Sequence, residues 1–196
     1  MMSDSDNSLR LKHILNSLIV SKTIPSLMRI LDEPVTHSLK KTQTISITNL
    51  DKLISNFEEM NVMSAVYVKC KGDLQMGILW YMLEEEFRPL AMRLLINLNL
   101  KKTDQLFISS ISEVGNMLTA SIVNAISSDT GYKLWSSLPG FAVESMKTLL
   151  EATISDLVDS SDTLIVSSVE FCGIKSGLKL QMFLMQDPKE VIKLIM

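Results

Sequence analysis

Apolar residues recur along the chain in two rhythms, and the rhythms follow one another in the same order twice. Leu11, Ile14, Leu15, Leu18 and Ile19 fall at helical spacing, and Leu27, Ile30 and Leu31 resume it after Pro25. The pattern predicts a helix over residues 8–31, kinked or restarted where the proline lacks a backbone donor. "DEPVTHS" reads as a turn into an extended piece, and "QTISITN" alternates as a strand does. "SAVYVKCKGDLQMGILWYML" reads as two strands reversing near Lys71-Gly72-Asp73. A helix over "EEEFRPLAMRLLINL" follows, its acidic first turn suited to the helix dipole.

The second half repeats this order. A helix is predicted from Asp104 to Asp129, then the extended stretch "YKLWSSLPG", a helix near "AVESMKTLLEATISDL", and a strand pair in "TLIVSSVEFCGIKSGLKLQMFLMQ". "DPKEVIKLIM" closes the chain as a short helix with Asp187 as N-cap and Pro188 in its first turn. Residues 8–100 and 104–196 therefore read as two copies of one unit within a single domain, with Cys70 and Cys172 at comparable places in the two hairpins. Hairpins favour antiparallel pairing. The expected class is α+β, a pseudo-twofold duplicated unit whose halves share an antiparallel sheet, with long helices packed on one face.

The helix of the second half has an unusual surface. Between Asp104 and Asp129 its only charged side chain is Glu113, and a carboxamide, Asn116, stands three places on. At helical periodicity Ser109, Ser112, Glu113, Asn116, Ala120 and Ser127 form one stripe, opposite Ile111, Val114, Leu118, Ile122 and Ala125. A solvated helix face ordinarily carries long charged side chains whose stems cover apolar surface. Here the stripe is short and polar, which lets a partner come close to the backbone. Gly115, which costs about 1 kcal/mol relative to alanine inside a helix, suggests close packing against another helix.

Composition narrows the function classes. Disorder is expected only over Met1 to Asn7, because apolar residues make up 46% of the 196 and charged residues 21%. The net charge is −3, and Lys and Arg never run beyond a pair, which speaks against nucleic acid or anionic lipid as partner. Asp4 and Asp6 precede the first apolar stretch, unlike a secretory leader, and no uninterrupted apolar run approaches a membrane span. A cytoplasmic chain with no membrane insertion is expected, with its two cysteines as buried free thiols. His13 and His37 do not stand at metal-ligand spacing, so no metal site is expected. Thirteen methionines read as core filling, and neither a glycine-rich phosphate loop nor a Ser/His/Asp set supports a small-molecule enzyme.

"SSISEVGNMLTASIVNAISSDTGYKLWSSLP" resembles the signature of the CheC/CheX/FliY family of chemotaxis response-regulator phosphatases. That pattern is Asp or Ser, three residues, Glu, two residues, Asn, twenty-two residues, Pro, and here it is met by Ser109, Glu113, Asn116 and Pro139. A chance match in a chain this long is on the order of one in a few hundred. The resemblance extends to the duplicated layout. It implies a phosphatase acting on phospho-aspartate of a CheY-like response regulator, with Asn116 holding the attacking water and Glu113 docking onto the regulator's lysine. It implies no cofactor of the chain's own, since Mg²⁺ comes with the regulator, and a CheD-like deamidase as a further candidate partner. In the first helix Asn16 matches, but His13 stands at the Glu position and Leu39 at the Pro position. The first site is therefore expected to be degenerate. The alternative is a non-catalytic regulator-binding or motor-switch module of the same fold.

Overall fold

The structure, a computed structural model, describes residues 4–55, 57, 61–95, 103–158 and 161–195. Helix α1 (Asp4–Leu18) passes through a π turn (Ile19–Thr23) into α2 (Ile24–Leu31). The chain stays helical from α1 through the π turn into α2, so Pro25 forgoes a backbone bond to the preceding turn, and the wider π turn, in which Ile24 N–H donates to Ile19 C=O, absorbs the change of register. Residues 4–7, within the stretch expected to be disordered, fall inside the bounds of α1. Residues 1–3 lie outside the described residues.

Next come β1 (Val35–Ser46), α3 (Asp51–Ile54), β2 (Val62–Gly72), β3 (Met76–Leu83) and α4 (Glu84–Leu94). The second half supplies α5 (Asp104–Thr130), β4 (Leu134–Ser136), β5 (Gly140–Ser145), α6 (Met146–Leu157), β6 (Thr163–Gly173), β7 (Lys179–Gln186) and α7 (Pro188–Ile195). The helix expected over "AVESMKTLLEATISDL" begins only at Met146. Ala142 to Ser145 are extended because they pair with β2, and Ser145 Oγ accepts from the Thr148 N–H at 3.2 Å to start α6. At the end of β7 the Asp187 carboxylate accepts from Lys189 N–H at 2.8 Å, as expected of an N-cap.

All the strands join one seven-stranded antiparallel sheet, in the order β1-β6-β7-β3-β2-β4, with β5 also on β2. The order is symmetric about the β7–β3 junction. Each half places its hairpin at the centre and gives its first strand to the other half: β1 pairs with β6, and β4 and β5 pair with β2. The register is equivalent on both sides, since Val35 faces Gly173 as Leu134 faces Gly72. Even the helix ends correspond, for α2 and α5 both stop at a left-handed residue, Asp32 (φ 51°) and Gly131 (φ 75°). In this register Phe171, not Cys172, stands where β2 has Cys70. The cysteines correspond by element but point to opposite faces. Cys70 is buried, which pushes its thiol up to about 11.

The two long helices α1 and α5, with α2, α4 and α7, bury Leu11, Leu15, Leu27, Phe87, Ile111, Leu118 and Val191 against one face of the sheet. The other face is not left to solvent: the shorter α6 and α3 cover it, with Leu53, Leu149, Leu150, Ile154 and Leu157 over Ala65, Tyr81 and Phe183. The helices Leu9–Leu31 and Asp104–Thr130 are long and apolar enough to cross a membrane by length and composition alone, although neither is an uninterrupted apolar run. Their buried residues lie on the side toward the sheet core.

Glu33, just past α2, joins the two halves. Its carboxylate accepts from the backbone N–H groups of Lys175 and Ser176 at 2.9 Å each and from Ser176 Oγ at 2.5 Å, and pairs with Arg93 at 3.0 Å. The Ser176 hydroxyl is the main reason its pKa lies below the ordinary carboxylate value, with the two amides and Arg93 adding to the effect and burial opposing it. The acidic run "EEEF" supplies the first turn of α4, as its composition suggested.

Candidate functional site

Helix α5 is 27 residues long and is started by Thr103, whose side chain accepts from the Leu106 N–H at 3.2 Å. It buries Phe107, Ile111, Val114, Gly115, Leu118, Thr119, Ile122, Val123, Ala125 and Ile126. The predicted stripe lies on the opposite side: Ser109 and Glu113 are exposed, and Ser112, Asn116, Ala120 and Ser127 are half-buried. Ile108 and Met117 are the exposed apolar residues beside it. Along this stretch the serines bond within the molecule. Ser109 Oγ donates to Gln105 C=O at 2.8 Å, Ser110 Oγ to Leu106 C=O at 2.8 Å, and Ser121 Oγ to Leu118 C=O at 2.6 Å. Among the described residues no hydrogen bond or ion pair takes up the Glu113 carboxylate or the Asn116 amide.

The underside of the helix is held tightly. Gly115 rests on Val66 of β2, so the close approach read from the glycine is to a strand and not to a helix. One turn beyond Asn116, the Trp80 indole N–H donates to Thr119 Oγ1 at 2.9 Å in a fully buried bond. Ser121 Oγ also donates to Thr23 Oγ1 at 3.3 Å, linking α5 to the π turn.

Pro139 is not on the helix. It is half-buried in the three-residue break between β4 and β5, where a residue without N–H is tolerated at a sheet edge. The break is stitched to β2, with Ser137 N–H donating to Lys69 C=O at 2.8 Å and Lys69 N–H to Ser137 Oγ at 3.1 Å. Its connection to Asn116 therefore runs through β2, which carries both the edge and the helix.

The first helix repeats the geometry with different chemistry. His13 and Asn16 occupy exposed positions on α1 equivalent to Glu113 and Asn116, with Leu11 and Leu18 buried as Ile111 and Leu118 are. The π turn adds one residue to the first copy. The strand register then places Lys40, and not Leu39, opposite the role of Pro139, since Lys41 faces Ser168 as Gly140 faces Tyr67. Lys40 sits at a β-bulge and pairs with Glu170 at 3.0 Å. Asn16 is occupied: its Oδ1 accepts from His37 Nε2 at 2.9 Å. Neither that contact nor the Trp80–Thr119 bond was visible in the sequence, because each joins a helix to a distant strand. Among the described residues no cluster of metal-ligating side chains is present.

A duplicated α+β unit with exchanged edge strands and two long helices on one face is the fold of the CheC, CheX and FliY proteins and of the FliM middle domain. FliY from Thermotoga maritima matches with a TM-score of 0.73 at 13% identity, over 99% of this chain and 96% of that one. A chain of the FliM–SpeE complex from H. pylori matches with a TM-score of 0.67 at 12% identity, over 98% of this chain and 96% of its own. A chain of the CheX–CheY–BeF3–Mg²⁺ complex from Borrelia burgdorferi matches with a TM-score of 0.56 at 16% identity, over 87% of this chain and 97% of its own. No family model matches the sequence, and no curated protein does.

Proposed function

We propose that the chain is a phosphatase for phospho-aspartate on a CheY-like response regulator. The observation that carries this reading is the pair Glu113 and Asn116, set on a helix stripe with no other charge and, among the described residues, with neither group engaged by an internal partner. An acyl phosphate is already reactive, so the catalyst has to align water in line with phosphorus and tolerate charge on the equatorial oxygens. Water adds to phosphorus, the bond from phosphorus to the aspartyl oxygen breaks, and the carboxylate and inorganic phosphate separate.

Asn116 offers an acceptor oxygen and two donor hydrogens and does not titrate, so it fixes a water without repelling phosphoryl oxygens. Glu113, one turn earlier, pairs with the regulator's lysine and sets the docking angle. The short residues of the stripe let α5 enter the regulator's cleft. Mg²⁺ belongs to the regulator, and this chain supplies no ligand to it. The reading places the chain in the cytoplasm with its substrate. A CheD-like deamidase stays a candidate partner that only a binding experiment addresses.

The fold does not by itself specify catalysis. The FliM–SpeE likeness and the occupied Asn16 favour a second reading, a regulator-binding module without turnover. The decay of a radiolabelled phospho-regulator separates the two. Faster decay on adding the chain supports the phosphatase, and binding with unchanged decay supports the module.

A further inference from the structure

We infer that Gly115 is a positioning residue, which sets the height at which α5 presents Asn116 by allowing the helix to settle onto Val66 of β2. This rests on the phosphatase reading. A Cβ added at Gly115 would lie 2.6 Å from Val66 Cγ1 and 2.9 Å from Val66 Cβ. A Cγ can rotate aside. The Val66 Cβ cannot, because β2 is locked between β3, where Val66 faces Trp80, and β5, where it faces Phe141.

Nor can the helix make room by sinking elsewhere. The space beneath Val114, Gly115 and Leu118 is a cavity of about 10 Å³, lined also by Ser64 and Trp80. It holds no more than a single water. Thr119, bonded to Trp80, fixes the next turn. Any side chain at 115 therefore lifts the turn that carries Asn116 away from the sheet. Positioning of a reacting group matters steeply, a misplacement of about 1 Å costing on the order of 100-fold in rate.

The first half shows the opposite arrangement. Leu15 stands at the helix position of Gly115, and Ser167 at the strand position of Val66. Large and small are exchanged between helix and strand, and there the amide is Asn16, already bonded to His37. The close seat is built only under the amide left free for a partner.

The test compares wild type, Gly115→Ala, Val66→Ile and the double variant Gly115→Ala/Val66→Ala on a phospho-regulator. Thermal unfolding and affinity for the beryllofluoride-bound regulator are measured alongside. Gly115→Ala is expected to lower kcat by ~10-fold or more with KM changed far less, and the double variant to recover kcat to within about threefold of wild type. A purely structural glycine would instead lower the melting temperature of Gly115→Ala while leaving kcat of the folded protein unchanged. Should Gly115→Ala fail to fold, Val66→Ile, which presses on the same contact from the strand, is expected to lower kcat with folding retained. An active wild type together with equally active Gly115→Ala and Val66→Ile overturns the inference alone. A wild type that leaves the decay unchanged overturns the phosphatase reading and this inference with it.

Discussion

Three side chains decide what this surface can do, and each is defined by what it is bonded to. Asn116 and Glu113 have no internal partner among the described residues, whereas Asn16 has His37. The pair was legible in the sequence because helical periodicity alone puts both residues on one stripe, and a stripe without long charged side chains is uncommon. The occupation of Asn16 was not legible, since His37 reaches it from β1 across twenty-one positions of sequence. Glu113→Ala is expected to raise KM and lower turnover together, by ~10-fold or more in kcat/KM, in the same decay assay.

Glu33 makes a separate prediction about pH. Its folded pKa is lowered below the ordinary 4.5, so the unfolded chain binds the proton more readily. The stabilisation is fully present above that value and is lost as pH falls through the folded pKa. Glu33→Gln should therefore melt below wild type at neutral pH, and the difference should shrink on acidification below 4.5. A gap that widens in acid would contradict the assignment.

Elements came through the sequence unevenly. Both hairpins, α5 and the C-terminal helix were readable because their periods run uninterrupted for a turn or more on either side of clear breakers. Strand β5 was misread as helix: "AVES" carries no alternation strong enough to show pairing, and its conformation is set by β2. The π turn was foreshadowed only as a break at Pro25, yet its extra residue is what shifts the degenerate counterpart of Pro139 from Leu39 to Lys40. Within α5 the buried bond from Trp80 to Thr119 should contribute measurably to stability. Thr119→Val keeps the shape but leaves the indole N–H buried without an acceptor, and a loss of about 1–3 kcal/mol is expected in chemical denaturation. A neutral Thr119→Val would mean that the helix is held by packing alone.

At the scale of the molecule, duplication and strand exchange go together. The order of elements announced two copies, but not that each copy lends its first strand to the other, because register between distant strands leaves no local mark. Among the described residues of 1–100 the strand β1 has no partner, and β2 lacks its edge. Either half expressed alone is expected to lack cooperative unfolding by circular dichroism, and the two halves mixed are expected to restore it. A cooperative transition in one isolated half would contradict the exchanged arrangement. The same duplication gave the protein two helices of one design, and among the described residues the second carries an unbonded amide beside a tightly seated glycine, whereas the first has its amide bonded to His37.

The most direct measurement pairs affinity with turnover in a single variant. Asn116→Ala is expected to bind a beryllofluoride-bound response regulator within about threefold of wild type while the phospho-regulator decays on the order of 100-fold more slowly than with wild type. Decay as fast as with wild type would show that no amide on α5 orients the attacking water.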